Sequence, residues 1–135
     1  MIKIKRVGEK DAFILAEMDK EAYREMKVWT LQTQKDFAKS LRKENFYFLI
    51  AYSGKEPVGY IETEFDAGKE IVWIKNIFVL KAYRKRRIAK EMIQQITRYW
   101  KKKTRLLVLL TSDKNLAVFQ KLGFKKTANY LVQET

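Results

Sequence analysis

The stretch Ile71–Leu80 (IVWIKNIFVL) is apolar on both faces of an extended ribbon and is interrupted only by Lys75 and Asn76. A run of this kind belongs in the middle of a sheet, where both faces are covered. The flanking segments supply what surrounds it. Ile2 to Val7 alternates apolar and basic residues, the pattern of a half-exposed first strand. Asp11 to Met26 carries Phe13, Ile14, Met18, Ala22 and Tyr23 at helical spacing, and Thr33 to Lys43 repeats the pattern more weakly through Phe37 and Leu41. Phe46 to Tyr52 and Val58 to Phe65 are strands joined by a turn at Ser53–Glu56.

Beyond the central run, the spacing predicts a long helix over Tyr83 to Lys103, with Ile88, Ala89, Met92, Ile93, Ile96 and Trp100 in one apolar stripe. A fully buried strand is expected at Leu106 to Leu110. A short helix follows over Asp113 to Leu122, which Gly123 can close in the left-handed conformation while Phe124 makes the accompanying apolar contact. One or two strands end the chain between Lys125 and Gln133. The order β-α-α-β-β-β-α-β-α-β implies an α+β (α/β mixed-sheet) domain with a central mixed sheet flanked by helices. At 135 residues, the expectation is one domain over residues 1–135.

Composition narrows the chemistry. Cysteine and histidine are both absent, which excludes disulfide frameworks, thiol nucleophiles, Ser-His-Asp triads and the usual zinc sites, so no metal is expected. No apolar run approaches ~18 residues and the first residues do not resemble a signal peptide, so the expected setting is cytoplasmic, with no membrane partner. The formal net charge is +13. It is concentrated: Lys75 to Arg105 holds 12 basic residues and one acidic residue, Glu91, for a local +11, whereas all other positions together give +2. An anionic partner is implied, and nucleic acid, acidic lipid or a phosphorylated small molecule would each satisfy it.

The densest part of that charge lies where the buried strand ends and the long helix starts. Arginines at a helix N-terminus oppose the macrodipole, at a cost of about 0.3–1 kcal/mol each. An anion bound there reverses the sign, because backbone N–H groups, dipole and guanidinium groups all then act together. This junction resembles the core motif of the GNAT superfamily of acyl-CoA-dependent N-acetyltransferases, a Val-ending strand followed by Q/R-x-x-G-x-G/A. Val79 ends the strand, and Arg84 and Ala89 match the pattern, while Arg87 stands where the family usually has glycine. Ser112 to Phe124 is similar to the family's second signature, a loop and helix ending in Gly-Phe, and Phe48 to Ile61 is similar to its preceding hairpin. The resemblance covers roughly Phe46 to Val132.

The resemblance implies acetyl-CoA as co-substrate. Backbone groups of Ile77, Phe78 and Val79 would pair with its pantetheine arm. Amides of Arg84, Lys85, Arg86, Arg87, Ile88 and Ala89 would cradle its diphosphate. Ser112, Asn115 and Phe119 fall on the other cofactor-side positions, with Phe119 where family members commonly have a tyrosine that protonates the leaving thiolate. Phenylalanine cannot donate that proton, and Tyr130 on the last strand is the candidate substitute. For the base, Glu62, Glu64 and Asp66 alternate on one strand face. They are either an ordinary solvated face or, for Glu62 or Glu64, the acceptor of the amine proton.

The acceptor is an amine on a protein or a small molecule. A lysine amine is neutral in only ~1 molecule per thousand at pH 7, against ~10–20% for an α-amine, so scant base equipment favours the α-amine. Two other readings stay open. One is a non-catalytic acyl-CoA-binding module, supported by Arg87 and Phe119. The other is a basic protein associated with nucleic acid or the ribosome, supported by a local charge that exceeds the roughly −4 of coenzyme A.

Overall fold

The computed structural model describes residues 1–26, 31–104, 106–111, 113–127 and 133. β1 (Ile2–Arg6) leads through a short 3-10 turn into α1 (Ala12–Met26), then α2 (Gln34–Leu41). Three long strands follow, β2 (Phe46–Ser53), β3 (Glu56–Asp66) and β4 (Ile71–Val79). A second 3-10 turn at Lys81–Tyr83 precedes α3 (Ile88–Trp100), β5 (Leu107–Val108) and α4 (Asp113–Lys121). The strands lie in the order β1-β2-β3-β4-β5, antiparallel throughout except for the parallel β4/β5 pair. The sheet is therefore mixed, as expected, and α3 provides the crossover that a parallel pair requires.

The sheet buries two different faces. On one, Leu49, Ile61, Val72, Ile74 and Val79 pack against the α3 stripe of Ile88, Met92, Ile93, Ile96 and Trp100. On the other, Phe48, Ile50, Tyr60 and Phe78 pack against Leu15, Met18 and Ala22 of α1 and Phe37 of α2. Period-two alternation along β2 and β3 sends neighbouring residues to opposite cores. Trp100 is fully enclosed, and its indole Nε1–H donates to Thr63 Oγ1 at 3.0 Å. A capping box starts α2: Thr33 Oγ1 accepts the Asp36 N–H at 3.1 Å, and Asp36 accepts the Thr33 N–H at 3.0 Å. Those bonds hold the Asp36 carboxyl below its ordinary value.

Three expectations change. The predicted helix over Tyr83 to Lys103 is shorter, because Lys85 and Arg87 take left-handed backbone angles (φ 64° and 63°) and α3 cannot start before Ile88. The expected buried strand at Leu106 to Leu110 pairs only at Val72↔Leu107 and Trp73↔Val108, and Leu106 and Leu110 are exposed. Among the described residues β5 is the outer strand, so its alternate side chains face out. The expected strands between Lys125 and Gln133 fall largely on residues outside those described.

The end of α4 is as predicted. Gly123 has φ 101°, the Phe124 N–H donates to Phe119 O at 3.1 Å, and the Gly123 N–H donates to Gln120 O at 3.0 Å. This is a complete Schellman motif. Phe119 and Phe124 close it edge to face, with ring centroids 6.0 Å apart.

β4 carries one irregularity that matters later. Glu62 is opposite Asn76 and Thr63 is opposite Ile74, so Lys75 has no partner and bulges from the strand. Near the other end, Gly59 lies opposite Val79 so tightly that a Cβ there would approach Phe78 O to 2.9 Å.

Candidate active site

β4 pairs with β3 along its length but with β5 only at Val72 and Trp73. From Ile74 onward, the edge of β4 that faces away from β3 has no described strand beside it. Leu80 turns its N–H toward β3, donating to Val58 O at 2.8 Å. By alternation, the N–H and C=O of Val79 point the other way, into the gap. The C=O of Val79 accepts Nε–H of Arg84 at 2.9 Å. The guanidinium continues to Glu25 on α1, with two bonds of 2.6 and 2.7 Å, and lies 5.6 Å from the Phe78 ring centroid. Arg84 thus ties the end of β4 to the end of α1.

The loop then makes its two left-handed turns at Lys85 and Arg87. For a non-glycine residue that conformation costs roughly 1–2 kcal/mol. Arg87 is the N-cap of α3 but makes no side-chain capping bond, and the first helical bond is from the Glu91 N–H to Arg87 O. The N–H groups of the first turn are left for an outside acceptor. Left-handed residues separated by one other residue turn successive amides toward one concavity, a backbone arrangement suited to anions. Lys85, Arg86 and Arg87 are exposed around it. Arg87, standing where the family pattern has glycine, thus holds a left-handed angle that glycine adopts readily. That angle is carried by a strained residue.

The helices and strands of the opposite face bring a buried polar group to the same strand pair. Glu62 is only 2% exposed. Its Oε1 accepts from Asn76 Nδ2 at 2.7 Å and from Gln32 Nε2 at 3.0 Å. Burial pushes its carboxyl above the ordinary value, against the pull of those two donors and of Lys75. Asp19, on α1, is equally buried and accepts from the Tyr60 hydroxyl and from the Gln32 backbone N–H, both at 2.8 Å. Burial, with the Asp19 charge beside it, pushes the Tyr60 hydroxyl far above the tyrosine range, so Tyr60 acts as a hydrogen-bond donor only.

The expectation of an ordinary solvated strand face fails at Glu62, because α1 and the residues before α2 cover it. Its neighbours on that face are engaged otherwise. Glu64 accepts from Lys75 Nζ at 3.2 Å, and Asp66 accepts the Lys69 N–H at 3.3 Å in the turn to β4. Tyr130 and Ser112 lie outside the described residues. Asn115 and Phe119 sit on α4, and no hydrogen bond or ring contact among the described residues joins them to β4 or to the loop. Reading the sequence missed Asp19, Gln32 and Tyr60. Asn76 had stood out only as a polar break in an apolar strand.

Some of the positive charge is structural. Lys103 sits over the rings of Phe65 and Trp100, 5.2 and 5.7 Å from their centroids, and Arg86 sits 5.1 Å from that of Tyr83. Two shallow recesses, of about 290 Å³ beside Tyr23 and Leu31 and about 310 Å³ beside Thr97 and Trp100, contain neither Glu62 nor the loop. No helix among the described residues is long and apolar enough to cross a membrane.

A mixed sheet opened along one central strand, with a backbone anion cradle at that strand's end, is the framework of an acyltransferase that takes its acyl group from a nucleotide-bearing carrier. The family model of the acetyltransferase (GNAT) family matches residues 13–124, and the chain belongs to that family: it is an acetyl-CoA-dependent N-acetyltransferase. No curated protein matches it by sequence. Among solved structures, the aminoglycoside N-acetyltransferase AAC(6')-Iy in complex with CoA is 20% identical with a TM-score of 0.83, covering 100% of this chain and 95% of that one. A predicted acetyltransferase with acetyl-CoA from Clostridium acetobutylicum is 17% identical with a TM-score of 0.82, over 99% of this chain and 96% of that one. The aminoglycoside acetyltransferase meta-AAC0020, from an uncultured soil metagenomic sample and in complex with sisomicin, is 22% identical with a TM-score of 0.74, over 99% and 93%. At these identities the likeness is one of fold.

Proposed function

We propose that the chain acetylates a small primary amine, with acetyl-CoA lying along the open edge of β4 and Glu62 taking the amine proton. The observation that carries this reading is the burial of Glu62 on β3, directly opposite Asn76 of β4. Val79 lies three residues further along β4, roughly 10 Å at strand spacing, and the anion cradle follows on the loop that leads from it to α3. The residues fit the carrier. The unpaired edge offers alternating N–H and C=O groups to an amide-bearing arm, the first-turn amides of α3 suit a diphosphate, and Lys85, Arg86 and Arg87 supply countercharge.

When bound, acetyl-CoA supplies an activated acyl group on a sulfur leaving group. The neutral amine nitrogen forms the new C–N bond as the C–S bond breaks, and the electron pair leaves on sulfur. Glu62, ionised and poised upward by burial, accepts the proton the amine releases. A thiol of pKa near 8.5 leaves as thiolate near neutral pH without a protein acid, which accommodates phenylalanine at position 119. With a base in place, the sequence-based preference for an α-amine loses its premise. The aminoglycoside acetyltransferases of similar fold support a small-molecule acceptor.

The test is release of free thiol from acetyl-CoA with a panel of aminoglycosides, polyamines, amino-acid amides and lysine peptides. Turnover with small amines ahead of peptides is expected. Saturable acetyl-CoA binding with no thiol released across the panel overturns the reading in favour of a non-catalytic module.

A further inference from the structure

Glu62 does not sit alone: a single residue, Gln32, links it to a second buried carboxylate. Gln32 lies just ahead of α2 and uses both of its ends. Its backbone N–H donates to Asp19 Oδ2 at 2.8 Å, and its side-chain Nε2–H donates to Glu62 Oε1 at 3.0 Å. Asp19 is fixed in turn by the Tyr60 hydroxyl on its other oxygen, Oδ1. Both donors to Glu62, Gln32 and Asn76, land on Oε1. Nothing among the described residues bonds to Oε2.

We propose that Gln32 is a positioning residue: anchored through its backbone to Asp19, it pins Oε1 of Glu62 and so presents Oε2 to the acceptor amine while supporting the ionised carboxylate. This rests on the reading of Glu62 as the proton acceptor. The groups facing Glu62 are Asp19 from α1, Gln32 from ahead of α2, Phe48 from β2, Tyr60 and Glu64 on its own strand, and Lys75 and Asn76 from β4. Asp19 is the buried acid among them and Glu64 a half-buried one, Lys75 is the cation, and Gln32 is the neutral group that stands between the two buried acids.

The anchor uses the backbone of Gln32, so side-chain variants retain it. Gln32→Leu removes one donor to the carboxylate, and Gln32→Lys replaces it with a cation. The titration of Glu62 is read directly by NMR on protein carrying 13C-labelled glutamate, with Glu62→Gln to assign the signal. Gln32→Leu is expected to raise the midpoint by about one pH unit, the effect of losing one hydrogen bond to an ionised group, and Gln32→Lys to lower it. Midpoints within about 0.3 unit of the parent, or moved the same way by both variants, overturn the proposal. Rates against pH, with one acceptor held constant, separate the two claims. If the acid limb follows the NMR midpoints, both stand. If the midpoints move and the limb does not, Glu62 is not the base, although Gln32 still sets its ionisation.

Discussion

The two faces of the sheet are built on different terms. On the α3 face, nearly everything buried is hydrocarbon, and the part of that side proposed to hold the carrier is the backbone of the loop that enters α3. On the α1/α2 face, two carboxylates and a phenol are buried among Phe37, Phe48 and Phe78, with two half-buried amides bonded to one of the carboxylates. A backbone cradle tolerates changes of side chain provided the angles survive, and arginine at position 87 holds a left-handed angle that glycine adopts without strain. A buried carboxylate has no such freedom, because only its own side chain carries the charge. The α3 face therefore fixes shape and the α1/α2 face fixes identity.

That contrast is tested most severely at Glu62. Glu62→Gln keeps the volume and one acceptor oxygen but cannot take a proton, and should lower kcat by about 100-fold or more. Its effect on stability has the opposite sense. Because burial raises the folded-state value, the contribution of Glu62 to stability is full below its ordinary 4.5 and is lost as pH rises through the folded-state value. Thermal melts should show Glu62→Gln more stable than the parent at pH 8, with the gap closing by pH 4. Activity retained within tenfold, or lower stability at pH 8, would break the comparison.

On the other face, the changes should act through folding. Met92→Ala empties a fully buried site on α3 and should cost about 2–5 kcal/mol in a denaturant titration, while the folded fraction keeps its kcat. Gly59→Ala forces a Cβ against the Phe78 carbonyl and should cost about 1–3 kcal/mol, with a higher KM for acetyl-CoA because the strand end at Val79 is displaced. Smallest, Arg87→Gly removes the left-handed strain and should stabilise by about 1 kcal/mol in the same titration. A destabilised Arg87→Gly would mean that the loop depends on the side chain after all.

What the sequence revealed follows the same division. The stripe of α3, the Gly123 cap with its Phe124 contact, and the loop after Val79 are local patterns of period and spacing, and each is where it was expected. The start of α3 was misplaced because nothing in the identities of Lys85 and Arg87 announces a left-handed residue. Glu62 was legible as a candidate but not as a buried one. The bonds that define it join residues 13, 30 and 41 positions apart, across α1, the approach to α2 and β3, and no local pattern encodes them.

The bulge at Lys75 acts on β4 as a single inserted letter acts on a reading frame. Before it, the even-numbered residues Val72 and Ile74 face α3; after it, the odd-numbered Ile77 and Val79 do, and the even-numbered Asn76 and Phe78 face the other way. Were Lys75 to take a regular place in the strand instead of bulging, Asn76 would turn its amide into hydrocarbon and Glu62 would lose a donor. The bulge absorbs Lys75 and so keeps the two ends of β4 in phase with β3, and deleting Lys75 would leave Asn76 to Val79 on the faces they now occupy.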